Sequence, residues 1–230
     1  FMALYDKTRA YTMTSIERMF ALHTAVRHVV QHNIPGDIVE CGVWRGGSSM
    51  MAAHTLCALG NTERKLYLYD TFAGTSRPTS HDVDVRGEAA AASWEQQQQG
   101  GVNEWCYASL DDVRANMATV PYPRDKVLFV KGKVEDTIPG TLPGQIALLR
   151  LDTDFYETTA HELEHLYPLL APRGILILDD YGHYDTYGQA VSAAEMREKR
   201  YLPEGIVEGC RVLRAQMSAS FRINSRFNGG

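Results

Sequence analysis

The chain has 230 residues and a formal net charge of −5, length enough for one α/β domain with a substantial core and a balance that speaks against a nucleic-acid surface. No apolar run is long enough to span a membrane and no secretory signal pattern is present, so neither a membrane nor a nucleic acid is expected as a partner. Cys41, Cys57, Cys106 and Cys210 show neither metal spacing nor disulfide density, which fits a reduced, cytoplasmic chain.

Residues 14–31 read as an amphipathic helix, with Thr14 and Glu17 at capping-box spacing. Ile16, Met19, Phe20, His23, Val26 and Val30 recur on its apolar stripe, and His23 there reads as a packed core histidine. The helix ends near Asn33, and Pro35-Gly36 marks a turn. Residues 37–41 form a short strand, residues 42–48 a glycine-rich turn and residues 49–59 a helix, an order that lets backbone approach a ligand closely. A dinucleotide fold would carry G-x-G-x-x-G, whereas here the glycines run G-x-x-x-G-G and Glu40 stands at the strand end. A carboxylate there repels a pyrophosphate but accepts hydrogen bonds from an amine or a ribose hydroxyl, so the expected ligand is cationic. Residues 65–69 form a second strand ending at Asp70, the place where such folds hold a ribose diol.

Residues 73–109 are long, polar and irregular, with a helical stretch within 89–99, and a connection of this length reads as a lid. Trp94, Trp105 and Tyr107 either stack on a sugar or aglycone or anchor that lid to the body. Residues 110–117 read as a helix, 126–130 as a third strand and 132–136 as a loop.

The most informative stretch is 148–181. Apolar runs at 146–151 and 175–178 end in Asp152 and in Asp179-Asp180, with a helix-length apolar stripe between them. That is a strand–helix–strand unit with parallel strands and a right-handed crossover. Both strands then end on one edge of the sheet, the edge where open α/β folds bind ligands. Asp152, Asp179 and Asp180 can converge there, and crowded carboxylates need a counter-charge. A hard divalent cation, Mg²⁺ in particular, answers that need; the bland alternative is solvated acids in strand-to-loop turns. Further on, residues 188–200 read as a helix, and residues 205–214 and 218–223 as the last strands. The start at Phe1 suggests a missing N-terminal extension, and residues 227–230 a frayed or trimmed end. No internal repeat or second boundary is found, so residues 1–230 are expected to form one domain.

The motifs E-C-G-V-W-R-G-G-S (40–48), L-Y-D-T-F-A-G (68–74), L-D-T-D-F-Y-E-T-T (151–159) and I-L-D-D-Y-G-H-Y (177–184) resemble the macrocin O-methyltransferase (TylF-type) family. The resemblance runs from about residue 12 to about residue 199. It implies a class I methyltransferase fold: a Rossmann-like, doubly wound, mostly parallel sheet with a reversed last strand, an N-terminal helix and a lid. It also implies S-adenosylmethionine and Mg²⁺ as cofactors. The activity it implies is methylation of a sugar hydroxyl on a glycosylated natural product such as a macrolide or aminocoumarin, hence antibiotic biosynthesis. By this resemblance Glu40, Gly42 and Val43 line the methionine part of the cofactor, with Ser48 in the same motif. Asp70 takes the ribose, Thr71 and Phe72 lie near the adenosine, and Val134 and Glu135 lie beside the adenine. Met13 reaches the cofactor from the N-terminal side, and Asp152, Asp179 and Asp180 match the metal carboxylates.

Methyl transfer to an alcohol needs an activated oxygen, and Mg²⁺ acidifies a bound hydroxyl less than zinc does, so a base is still wanted. Asp154 is the first candidate, because alternation in an extended segment would put it on the same side as Asp152. His81 of the lid, or His183, is the second, and Asp154 could instead be a fourth acid around the metal. Three other functions are weighed: a catechol-type O-methyltransferase, a cofactor-binding protein without activity, and a zinc hydrolase. The last rests on His161-Glu162-Leu163-Glu164-His165, which satisfies H-E-x-x-H. Helix geometry speaks against it, because Leu163, Leu166, Tyr167 and Leu170 form one stripe and both histidines fall on the opposite, solvent-facing side. The expected partner is a small glycoside, and self-association into a homo-oligomer is left open.

Overall fold

Short strands that are apolar on both faces belong in the middle of a parallel sheet, because helices must cover each side. The computed structural model describes residues 1–83 and 87–179. After α1 (Met2–Thr8) and α2 (Ile16–Gln31) come β1 (Asp37–Cys41), α3 (Gly47–Ala58) and β2 (Leu66–Asp70). The connection that follows holds α4 (Ala90–Gln96) and a small hairpin, β3 (Gln98–Gln99) with β4 (Val102–Asn103). Then come α5 (Leu110–Met117), β5 (Val127–Lys131), α6 (Val134–Thr137), β6 (Ile146–Leu151), α7 (Tyr156–Leu166) and β7 (Leu170–Leu178). The main sheet has the order β5-β2-β1-β6-β7, with every neighbouring pair parallel. The order reverses between β1 and β6, so the crevice at their carboxyl ends is the place for a ligand.

One face of the sheet packs Ile38, Leu68 and Leu148 against Met19 of α2, Met50 and Met51 of α3 and Val113 of α5. The other packs Val39, Leu149 and Leu151 against Val134 of α6 and Leu163 and Leu166 of α7. Side-chain alternation along β1 and β6 divides these two cores. The same alternation sends Glu40 and Arg150, opposite one another in register, to the α2 side.

Several local expectations change. The cap of α2 is Ser15, whose hydroxyl accepts from the Arg18 N–H, while Thr14 turns its hydroxyl to Arg150. His23 is the packed core residue expected, with Nδ1 2.8 Å from the Thr55 hydroxyl. Strand β7 begins five residues before the expected Ile175. Pro172-Arg173-Gly174 has turn chemistry, but the strand carries it as a bulge: Ile146 pairs with Leu170 and Leu148 with Ile175. Pro168 ends α7, and Tyr167–Leu169 tightens into a 3₁₀ turn. The segment after β6 is not extended: Asp154 sits at φ 64, with the Phe155 N–H donating to the Thr153 carbonyl at 2.8 Å. Strand alternation therefore does not relate Asp154 to Asp152. The expected helix at 188–200, the strands at 205–214 and 218–223, and Asp180, His183 and Cys210 lie outside the described residues.

Gly42 ties β1 to β6. It has φ 81, and a Cβ there would collide with the carbonyl oxygen of Asp152. Gly42→Ala is expected to destabilise the chain by at least the ~1–3 kcal/mol of an unfavourable backbone conformation. Urea unfolding measures this, and an unchanged midpoint would contradict the close approach.

Candidate active site at the carboxyl edge of the sheet

A cavity of about 450 Å³ opens at the reversal of strand order. Each strand end contributes to its wall: Gly42 after β1, Asp70 of β2, Gly132 after β5, Asp152 and Asp154 after β6, and Asp179 after β7. Met13, Thr14, Ser15 and Arg18 close one side, and Gly74, Thr75, Ser76 and Cys106 come from the 73–109 connection. The ionised groups on this wall are mostly acids, Asp70, Asp152, Asp154 and Asp179 against Arg18, so the space favours a cationic occupant.

Behind the wall lies Arg150, whose side chain is 3% exposed. Its Nη1 donates to Glu40 Oε1 at 2.6 Å, and its Nη2 reaches Asp152 Oδ2 and Asp179 Oδ1, each at 2.9 Å. Nη2 also donates to the Thr14 hydroxyl at 3.0 Å. Burial draws the guanidinium's pKa down, but Asp152, Asp179 and Glu40 more than reverse this and hold it well above the ordinary arginine value. Arg18 adds a second cation, with Nη1 2.9 Å from Asp179 Oδ2. The counter-charge that the acid cluster demands is thus supplied in part by two arginines that sequence reasoning missed. The signal was present: a charged residue inside the buried run I-A-L-L-R-L needs a partner, and Glu40 inside D-I-V-E-C needs another.

Asp70 organises the glycine turn. Its Oδ2 accepts the backbone N–H groups of Val43 and Trp44 at 2.7 and 3.2 Å, and its Oδ1 accepts that of Phe72 at 2.7 Å. Burial pushes its carboxyl above the ordinary aspartate value, and these backbone donors offset part of the rise. Trp44 and Phe72 take positive φ values, 46° and 51°, to aim their N–H groups.

Of the residues expected to bind the cofactor, Met13, Gly42, Asp70, Thr71 and Val134 line the cavity. Val43 is buried and meets Asp70 through its backbone; Phe72 is buried near Phe129; Glu135 is exposed on the first turn of α6. Glu40 and Ser48 do not reach the cavity wall. Alternation along β1 turns Glu40 inward, where Arg150 and the Ser49 hydroxyl occupy its oxygens. Burial raises its pKa, and Arg150 and Ser49 hold it part of the way down. Ser48 is buried with its hydroxyl 3.8 Å from the Met19 sulfur.

Asp152, Asp154 and Asp179 come to one cavity. His81 does not: Nδ1 lies 3.1 Å from Glu157 Oε1 in a pair more than half exposed, and the ring packs on Tyr156. Asp82 directs it there, because its buried carboxylate accepts the Tyr156 N–H at the start of α7 and the Thr79 N–H of its own loop. Trp94 donates to the Thr75 carbonyl and Trp105 meets Phe155 edge-on, so these two aromatics hold the 73–109 connection in place. Neither lies on the cavity wall, whereas Trp44, at the glycine turn, does.

The H-E-x-x-H stretch is not a zinc site. His161 Nε2 lies 3.0 Å from the Ile138 carbonyl and His165 Nδ1 2.9 Å from the His161 carbonyl. Both rings are half-buried rather than solvent-facing, His161 against the residue that follows α6 and His165 against His161, while Glu162 is fully buried. Among the described residues no three His, Cys, Asp or Glu side chains are grouped to hold a metal; Asp180 lies outside them.

A family profile described as Macrocin-O-methyltransferase (TylF) matches residues 5–208. The chain is 38% identical over 172 residues to a Streptomyces olivaceus protein, 8-demethyl-8-(2,3-dimethoxy-alpha-L-rhamnosyl)-tetracenomycin-C 4'-O-methyltransferase. That match covers 75% of this chain and 63% of the relative. It is 33% identical, with the same two coverages, to demethyldecarbamoylnovobiocin O-methyltransferase of Streptomyces niveus. It is 32% identical to mycinamicin III 3''-O-methyltransferase of Micromonospora griseorubida, over 76% of this chain and 66% of the relative. The chain thus spans a little under two thirds of the length of the curated relatives it matches. Among solved structures, that of the O-methyltransferase NovP superposes with a TM-score of 0.72 at 29% identity, over 84% of this chain and 76% of the other. The calicheamicin methyltransferase CalS11 shares the fold with a TM-score of 0.54 at 19% identity, over 79% of this chain and 69% of its own. The architecture is the Rossmann-like sheet of class I methyltransferases.

Arg150→Met would leave Glu40, whose side chain is 5% exposed, without its cation. The expected loss of stability is about 3–5 kcal/mol by urea unfolding at neutral pH. A loss of about 0–1 kcal/mol, typical of a surface pair, would show that the hub is not needed.

Proposed function

The chain belongs to the macrocin O-methyltransferase family, and from that premise we propose that it transfers a methyl group from S-adenosylmethionine to a sugar hydroxyl of a glycosylated natural product. The observation that carries this reading is the acidic wall at the reversal of strand order, where four aspartates face one cavity. The relatives' names, which place methylation on a rhamnosyl tetracenomycin and on mycinamicin III, support a glycoside acceptor and a role in antibiotic biosynthesis. The proposed setting is the cytoplasm, with the 1–230 chain as one catalytic domain and the 73–109 connection as its lid.

S-adenosylmethionine supplies an electrophilic methyl group on a sulfonium. Asp70 receives the ribose hydroxyls, since a carboxylate has lone pairs beyond those its three backbone donors use. Gly42 and Gly132 let backbone pass close to the cofactor, and Thr71, Val134 and Met13 pack around it. Arg150 and Arg18 take up part of the Asp152 and Asp179 carboxylates, and the lone pairs they leave, with Asp154 on the same wall, form an all-oxygen donor set of the kind a hard divalent cation takes. Asp152, Asp179 and Asp180 would hold Mg²⁺, which supplies acidification and orientation of a bound hydroxyl. Asp154 takes the hydroxyl proton. Gly74, Thr75, Ser76 and Cys106 shape the acceptor side and keep water out.

The test is incubation of the purified chain with S-adenosylmethionine and either a rhamnosylated polyketide or a catechol, with products read by mass spectrometry. Methylation of the glycoside alone is expected; methylation of the catechol alone would move the chain to the catechol-type reading. EDTA should abolish transfer and Mg²⁺ restore it, and full activity of metal-free protein would end the metal assignment. Asp154→Asn should stay inactive in excess Mg²⁺; its rescue would make Asp154 a ligand rather than the base.

Asp70→Ala is expected to weaken S-adenosylmethionine binding by about 1.5–3 kcal/mol, the range for hydrogen bonds to a charged group. Calorimetric titration reads this directly, and an unchanged affinity would refute the ribose placement.

A further inference from the structure

Glu162 is the part of the H-E-x-x-H stretch that no function has yet absorbed. It lies on α7 with no exposed surface, and among the described residues no cation pairs with it. An ionised carboxylate in such a place is costly, and a leucine would fill the space without that cost. Burial pushes the Glu162 carboxyl well above its ordinary value, the Thr153 and Cys41 hydrogen bonds draw it only part of the way back, and Glu135 adds to the rise. Burial thus favours the uncharged form of this side chain, which can still accept a hydrogen bond.

What it accepts is informative. The Thr153 hydroxyl donates to Glu162 Oε2 at 3.1 Å. Thr153 is on the cavity wall, between Asp152 and Asp154. The contacts of this turn include Asp152 N–H to the Cys41 carbonyl at 2.9 Å, Phe155 N–H to the Thr153 carbonyl at 2.8 Å and the Asp152 carboxylate to Arg150 at 2.9 Å. Asp154 sits in the left-handed region at φ 64, a conformation that persists only when its surroundings enforce it. Neither backbone contact fixes the Thr153 side chain; Glu162 does. Cys41 of β1 is near enough for the acid to raise its thiol's pKa, though burial is the larger cause, while Glu162 Oε1 has no hydrogen-bond partner among the described residues.

We propose that Glu162 is a positioning residue: through the Thr153 hydroxyl it holds the Asp152-Thr153-Asp154 turn so that both aspartates face the cavity in working geometry. This rests on the reading of Asp152 as a metal ligand and Asp154 as the base. Groups bonded directly to a metal ligand commonly set its affinity by 10–100-fold; Glu162 acts one residue further back, through Thr153, so the lower end of that range is expected.

The experiment is calorimetric titration of the purified chain with Mg²⁺, and separately with S-adenosylhomocysteine, for wild type, Glu162→Ala, Glu162→Gln and Thr153→Val. Glu162→Ala and Thr153→Val should each weaken Mg²⁺ about tenfold. Both should leave S-adenosylhomocysteine within about twofold. Glu162→Gln keeps a neutral acceptor of the same shape and should retain wild-type Mg²⁺ affinity. A merely structural role would not produce this rescue with an unmoved cofactor affinity. Should Glu162→Ala fail to fold, Thr153→Val at the cavity wall carries the test alone. Wild-type Mg²⁺ affinity in Thr153→Val overturns the inference, as does a Glu162→Gln variant as weak as Glu162→Ala. Absence of Mg²⁺ uptake by wild type overturns the metal reading and this inference with it, whereas uptake that is equal in all four chains overturns this inference alone.

Discussion

A single buried guanidinium sets the terms for everything at the carboxyl edge of this sheet. Arg150 sits one residue before the end of β6, opposite Glu40 of β1, with Asp152 and Asp179 just past the ends of their strands within reach. Breaking such a buried arrangement at one point leaves an uncompensated charge. The hub therefore constrains strand order, because β1, β6 and β7 must be neighbours for one side chain to meet all three carboxylates. It also reaches outward: through Thr14, and with Arg18 on Asp179, it draws the start of α2 onto the site. The N-terminal segment thus becomes a wall of the cavity through these charged contacts as well as through the apolar packing of α1 and α2.

The other half of the cavity is organised by backbone. Asp70 gathers N–H groups from the glycine turn and from its own loop, and two non-glycine residues accept positive φ to supply them. Gly42 lets that turn press against the Asp152 carbonyl. The two halves, one built on side-chain charge and the other on oriented amides, are thus in contact. A shift in either would move the other, which suits the proposed transfer, since a methyl donor and an acceptor oxygen would have to be aligned closely.

The 73–109 connection shows how a polar stretch with little periodicity becomes ordered. Asp82 is buried against the start of α7, Trp94 and Asn103 bond to backbone of the same segment, and Trp105 rests on Phe155. Trp94 and Trp105 serve as anchors, Tyr107 is exposed, and small residues of the connection face the cavity. Sequence reasoning left both uses of Trp94 and Trp105 open, because an aromatic that anchors and one that stacks on a ligand have the same local pattern.

What the sequence determined by itself were the features governed by short-range periodicity and by position along the chain. Strands β1 and β6 and helix α5 fall at the residues their patterns predict, and the acids at the strand ends share one edge because parallel strands oblige them to. Tertiary structure decided the rest, and the reason in each case is a partner distant in sequence. Glu40 faces Arg150, 110 positions away, rather than the cavity. Thr14 gives up the helix cap to meet Arg150, and Ser15 replaces it. His161 finds the Ile138 carbonyl on the side where a helical wheel shows only solvent. A wheel or an alternation says which side chains share a face; what that face meets depends on which elements the fold brings against it, and local spacing carries no term for that.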